Sequence, residues 1–338
     1  MTRPCGETTR SRFLKVLNGE MPNDRLPLME WAMWWDLSQR RWEREGLPKG
    51  LDIAGLKRYF GTDMDHQSWF WAMGHGGVSK YGHSHWIENQ RDYEELLPAL
   101  YPDPPAYHGA NWAEKSDEQA AGDAVIWISL RGFFAWPRVL FGIEPHLFAF
   151  YDNPDLMHRI NDDLVDYNLR CIDFFCDNIS VPDFMTFAED MSYNHGPMIS
   201  KQQFDEFMAP YYQRVIPRLK ERGITPIIDS DGDVEPLISW FQSIGLEGIL
   251  PLERMAGVDV NRIRAKHPKW KMVGGFDKTV MHRGEEAMRR EFERILPAAQ
   301  AGYFIPSVDH QTPPEVSIND YWLYLKLLRE YMTKAVQG

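Results

Sequence analysis

The chain has 338 residues, 43% hydrophobic and 25% charged, with 13 Trp, 14 Tyr and 18 Phe, so a sizeable core is available. Its formal net charge of −12 argues against nucleic-acid and anionic-membrane partners, which want a basic face. No apolar run approaches the roughly 20 residues of a membrane span, no apolar h-region follows the polar start, and Cys5, Cys171 and Cys176 fit neither a disulfide framework nor a zinc ribbon, so a cytoplasmic protein with reduced thiols is expected.

In chain order, the first strand-like run is RLPLMEW (25–31), which overlaps the aromatic stretch EWAMWWDLSQRRW (30–42). The region 55–120 reads as an insertion near a barrel mouth and hides a further strand around 55–90. It holds His66, His75, His83 and His85; the last three either ring a metal or sit in a flexible loop. AVIWISL (124–130) is the next strand, followed by a helix over 153–178 with Asn153 as cap and Pro154 in the first turn. DFMTFAED (183–190) precedes a helix over 200–223, capped by Ser200, ended by Gly223 and interrupted at Pro210 and Pro217. TPIID (225–229), GILPLE (248–253), KMVGGFD (271–277) and YFIPSVD (303–309) complete the strands, with helical patterns at 235–245 and 284–302 between them.

These strands are apolar almost throughout, as parallel strands covered on both faces are. Alternation with helices implies right-handed crossovers. Seven visible strands and a hidden eighth predict a (β/α)8 barrel with N-terminal helical additions, forming one domain over 1–338. An open doubly wound sheet would want a glycine-rich turn after its first strand, and EWAMWWD offers none.

Barrel enzymes carry their chemistry at the C-terminal strand ends. Here those ends hold Glu189 and Asp190, then Asp229 and Asp231, Glu253, Asp277, and Asp309 with His310. Any single acid there reads equally as a helix cap or a solvated loop residue, and Asp233 reads as a cap. Together they repel, by roughly 2–3 kcal/mol for a pair ~6 Å apart at an effective dielectric near 20, so the mouth needs a cation, a proton or basic partners. Arg131 and Lys278 are available as partners, and Asp, Glu and His suit a divalent metal. Glu189, Asp229, Asp231 and His310 are the candidate catalytic residues, with Glu189, Asp229 and His310 as candidate metal ligands. Trp31, Trp34, Trp35, Tyr193, His195, Arg131 and Asp277 are candidate substrate contacts, although tryptophans at such spacing also suit a core or a lid.

The stretches EDMSYNHGPMIS (189–200), DSDGDVEPLISWFQSIGLEGILPLE (229–253), VGGFDK (273–278) and GYFIPSVDHQTPPEVS (302–317) resemble the uroporphyrinogen decarboxylase superfamily. The resemblance runs from residue 10 to the end and implies a (β/α)8 barrel. It departs from the decarboxylases in lacking arginines after the first strand, where an acidic and aromatic segment stands. It departs from the zinc-thiol methyltransferases in having Asp229-Ser230-Asp231 in place of His-x-Cys, and no later cysteine. What remains resembles the corrinoid-linked methyltransferase-like branch. That implies methyl transfer from a small methylated compound, best an aryl methyl ether, to the cob(I)alamin of a separate corrinoid protein, with zinc as a possible metal and a homodimer admitted. Decarboxylation, and a non-catalytic barrel binding a methylated or cationic ligand, stand as alternatives.

Overall fold

The strands lie where the apolar runs place them. The computed structural model describes residues 6–32, 34–74, 79, 81–82 and 84–337; Cys5, His75 and His83 lie outside these. Ten strands are present among the described residues: β1 (Met64–Trp71), β2 (Ala106–Tyr107), β3 (Ala124–Arg131), β4 (Phe184–Ala188), β5 (Ser192–Tyr193), β6 (Gly196–Pro197), β7 (Thr225–Asp229), β8 (Gly248–Leu250), β9 (Lys271–Phe276) and β10 (Phe304–Val308). The main sheet runs β10-β9-β8-β7-β4-β3-β1-β2, parallel except that β2 pairs antiparallel with β1. The hidden strand is β1. Helices cover the sheet: β3 is buried from Ala124 to Leu130 and becomes partly open only at Arg131, which reaches the rim.

The expected first strand, 25–31, forms no ladder, which corrects that reading. Pro27 has no amide hydrogen, and the Leu28 amide donates to the Asp63 side chain at 2.8 Å instead of to a neighbouring strand. The segment nevertheless bridges the edges of the sheet. On one side the Asp63 amide donates to the Leu28 carbonyl at 2.9 Å. On the other, Ser307 Oγ donates to the Met29 carbonyl at 2.7 Å and Trp31 Nε1 to the Val308 carbonyl at 2.8 Å. It serves as the eighth stave, held by one backbone bond and by side chains, and leaves a seam beside β1.

The N-terminal helix Thr9–Leu17 closes the opposite end, where Arg10 Nε lies 2.7 Å from Asp183 just before β4. The expected insertion at 55–120 is smaller than that span. Helix Ile53–Phe60, β1 and helix Trp112–Ala121 are barrel units, leaving 72–111 as the inserted part. Ser200 forms a full capping box with Gln203, and the helical stretch breaks into Lys201–Phe207 and Ala209–Glu221 around Pro210. Pro154 starts helix Pro154–Asn178, but the Asn153 side chain makes no capping bond. Cys171 and Cys176 are free, and no helix among the described residues is long and apolar enough to cross a membrane.

Candidate active site

Strand register builds the floor of the mouth. Arg131 pairs with Ala188, and Ala188 with Asp229, so these three form one row across β3, β4 and β7. Side chains in such a row share a face. Asp229 is partly buried, and its carboxyl has no hydrogen-bond partner among the described residues. Burial, then the charges of Asp190 and Asp231, push its pKa well above the ordinary aspartate value, against the pull of Arg131. The Arg131 guanidinium stands 5.7 Å from the centroid of the Trp69 ring and makes no ion pair among the described residues.

Above this row, Asp231, Glu253 and His310 each present one ligand atom within 4.8 Å of the others. His310 Nε2 is 3.8 Å from Asp231 Oδ2, and its ring meets Trp31 edge-on at 5.9 Å. Burial, with Glu253 and Asp190 next, raises Asp231 to about 7, whereas burial and Lys278 lower His310. Glu253 is aimed by the Gly232 amide, which donates to Oε2 at 3.0 Å. Gly232 has φ +82°, and a Cβ there would lie 2.8 Å from the Ser192 carbonyl, so only glycine lets this loop close on β5. Lys278 Nζ donates to Asp309 at 3.3 Å and lies 4.0 Å from Glu253. Asp309 is fully buried and also accepts the Arg254 amide at 2.9 Å, so it holds the β8 and β9 loops together.

Glu189 does not join this group, a correction to its expected place as a rim acid and metal ligand. It is fully buried, and its oxygens accept the amides of Phe133, Phe134 and Ala135 at 2.8, 2.9 and 2.8 Å and the Tyr212 hydroxyl. Three of these four bonds serve the turn after β3, and the fourth ties it to helix Ala209–Glu221. Gly132 makes room for it, since a Cβ there would lie 2.1 Å from the Glu189 carboxyl carbon. Burial raises Glu189 to about 7 despite these donors. The adjacent Asp190 faces the mouth instead. It has φ +42°, and Arg138 clamps it, donating to its carbonyl at 2.7 Å and its carboxylate at 3.1 Å.

Asp277 is also corrected: it caps the turn after β9, accepting the Thr279 amide at 2.8 Å and hydroxyl at 2.6 Å. Trp34 is buried in the wall, with Nε1 donating to Tyr321 at 2.9 Å, and Trp35 is 41% exposed. Among the described aromatic residues of that stretch, Trp31 alone meets the rim histidine ring. Tyr193 and His195 stand exposed on the β5–β6 hairpin, whose Tyr193 carbonyl accepts the Asp233 amide at 2.9 Å. Asp233 caps the following turn, as expected, through the Glu235 amide at 3.3 Å. Sequence reasoning left Asp190, Arg138 and Glu253 out of the site. Glu253 carried the same signal as the chosen acids, since it too ends an apolar run.

The geometry offers a carboxyl unpartnered among the described residues, in one row with an arginine, and above it an oxygen-oxygen-nitrogen donor set that fits a divalent cation such as zinc at an open site. A model of the family described as uroporphyrinogen decarboxylase (URO-D) matches residues 141–331. A methyltransferase from Methanosarcina mazei has a similar structure, at TM-score 0.64 and 15% identity over 96% of this chain and 98% of that one. A structure described as a vitamin-B12 independent methionine synthase from Listeria monocytogenes aligns at TM-score 0.46 and 10% identity over 91% and 97% of the chains, too weakly to carry an argument. No curated protein sequence matches.

Proposed function

We propose that this chain, which belongs to the uroporphyrinogen decarboxylase family, moves a methyl group from a small methylated compound to a corrinoid. An aryl methyl ether is the preferred donor. Cob(I)alamin, carried on a separate corrinoid protein, supplies the nucleophile that accepts the methyl group.

The observation that carries this reading is the Asp229 carboxyl, set in the same row as Arg131 across β4 and free of hydrogen-bond partners among the described residues. A leaving phenolate is a poor leaving group unless it gains a proton as the bond to the methyl carbon breaks. Asp229 in its acid form gives that proton to the ether oxygen. The methyl group departs on the opposite side, and the phenol leaves neutral. A positioned acid contributes about 10²–10⁴-fold. Arg131 stabilises negative charge that develops on the oxygen and holds the Asp229 carboxylate after transfer. Trp31 and Trp69 flank the approach with apolar surface for an arene.

Asp231, Glu253 and His310 would hold a divalent metal, which would polarise a leaving oxygen. Lys278 at 4.0 Å from Glu253 offsets part of the charge of that set without one.

Decarboxylation of a polycarboxylate is the competing reading. The crowd of Asp190, Asp229, Asp231 and Glu253 opposes a large anion. The test is cobalamin absorbance: cob(I)alamin, free or on a corrinoid protein, is mixed with the chain and a panel of methoxylated arenes and N-methylated amines. Formation of methylcobalamin with at least one donor supports the proposal. No product from any donor, together with carbon dioxide release from uroporphyrinogen, overturns it.

A further inference from the structure

The seam between segment 26–32 and β1 opens into a cavity of about 370 Å³, lined among others by Glu30, Trp31, Trp34, Lys57, Asp65 and Trp69. That is the lower end of the range for small-molecule sites, about 300–1,000 Å³. The methyl-transfer scheme above uses none of its charged groups.

Charge pairing inside it is uneven. Lys57 Nζ lies 2.7 Å from Asp65 Oδ2 and donates to the Asp65 carbonyl at 2.9 Å, while Trp127 Nε1 donates to Asp65 Oδ1 at 2.9 Å. Asp65 therefore consumes the lysine. Glu30 is only 4% exposed, and its one side-chain hydrogen bond among the described residues is at Oε2, from the Tyr321 hydroxyl at 2.8 Å. Glu30 Oε1 has no hydrogen-bond partner among the described residues. A buried carboxyl oxygen left open is costly, by about 1–3 kcal/mol or more, unless something enters to meet it. Around it stand three indoles. Trp34 is tied down by its bond to Tyr321 and Trp31 by its bond to the Val308 carbonyl, so their rings are fixed in place. At the outer lining Lys115 lies over the Trp112 ring at 4.4 Å, and Asp52 caps helix Ile53–Phe60. These two oppose each other in sign and leave Glu30 as the buried carboxyl of the lining to which no basic group is bonded among the described residues.

We propose that this seam cavity binds a small organic cation, an ammonium head on a compact apolar body, with Glu30 as its counter-ion and Trp31, Trp34 and Trp69 around it. An anion would meet two carboxyls, and a neutral body would leave Oε1 open. An ammonium N–H donates to Oε1, a quaternary ammonium meets it by charge alone as Glu30 gives up its proton, and either gains cation–π attraction from the indoles, about 0.5–2 kcal/mol for each well-placed ring. The cavity shares Trp31 and Trp69 with the arene approach proposed above, but its binding test requires neither a corrinoid nor a reaction, so the two readings fail separately.

The experiment is isothermal titration of the full chain with benzyltrimethylammonium, benzylamine, benzyl alcohol and benzoate. The two cations should bind saturably, and at least tenfold more tightly than the alcohol or benzoate. Glu30→Gln should weaken cation binding at least tenfold and leave the weak alcohol binding unchanged. Ala54→Trp, which fills the cavity from helix Ile53–Phe60 and leaves Glu30 in place, should abolish binding of all probes, and it keeps the test decisive if the Gln variant fails to fold. Equal affinity for cation and alcohol, preference for benzoate, or undiminished cation binding by either folded variant overturns the proposal.

Discussion

Glu189→Gln separates a structural carboxyl from a catalytic one. Oε2 of Glu189 accepts two amides, those of Phe134 and Ala135, while Oε1 accepts the Phe133 amide and the Tyr212 hydroxyl. In the variant the amide oxygen keeps the first pair. The new NH2 faces the other two; Tyr212 can rotate its hydroxyl to accept, but the Phe133 N–H cannot. One buried donor is left unsatisfied, at about 1–3 kcal/mol. With an unfolding entropy of about 2.1 cal/mol/K per residue, 338 residues give about 0.7 kcal/mol/K, so Tm should fall by about 1.5–4 °C. Tyr212→Phe should cost about 1 kcal/mol, and the double variant less than the sum, because both act on Oε1. Scanning calorimetry reads the first quantity and a urea double-mutant cycle the second. The kcat of methyl transfer at 25 °C should change less than threefold. An unchanged Tm with a hundredfold loss of kcat would refute the placement of Glu189 as a brace for the β3 turn.

The contribution of Glu30 and Glu189 to stability should fall as pH rises from about 4.5 to about 8. Burial raises Glu30 from 4.5 to about 8 and Glu189 from 4.5 to about 7, so the folded state binds more protons across that window, and the contribution present below 4.5 is lost above the raised values. His146, lowered to about 3 by burial, works in the opposite sense below 6.5, so the difference between proteins is the test: the urea midpoint of Glu30→Gln should gain on wild type as pH climbs through this window, and a variant that loses ground contradicts the sign. Purified protein should carry about one divalent metal per chain, and mass spectrometry should find it reduced in Asp231→Asn and in His310→Ala but retained in Glu189→Gln. Metal-free protein after growth with zinc, manganese and magnesium would remove the donor set from the scheme. Gly232→Ala should destabilise by about 1–3 kcal/mol through its positive φ and its clash with the Ser192 carbonyl, and should lower methyl transfer by displacing Glu253; normal Tm and rate would show that the loop has slack.

The strands were legible because parallel strands buried on both faces leave unbroken apolar runs, and the rim acids because each such run stops at one. The first stave was legible as apolar chain but not as a strand without a ladder, because that depends on Asp63, remote in sequence, capturing the Leu28 amide. Which of Glu189 and Asp190 faces the mouth could not be read from adjacency. It was decided by three amides of the β3 turn and by the left-handed backbone at Asp190. Asp277 looked like its neighbours in sequence, yet Thr279 claims it as a cap. Glu30 sat unremarked inside RLPLMEW, since a single acid in an apolar run gives no sign of which partners it will lack.

Asp229 as the proton donor to the leaving oxygen is tested most directly by a leaving-group series. Wild type and Asp229→Asn are compared for methyl transfer to cob(I)alamin from aryl methyl ethers whose phenols span about pKa 7 to 10. The loss in the variant should be near the full range for a positioned acid, about 10²–10⁴-fold, with the most basic leaving phenol and should shrink toward the most acidic one, which needs no proton. A loss of the same size across the series, or no loss at all, contradicts the assignment.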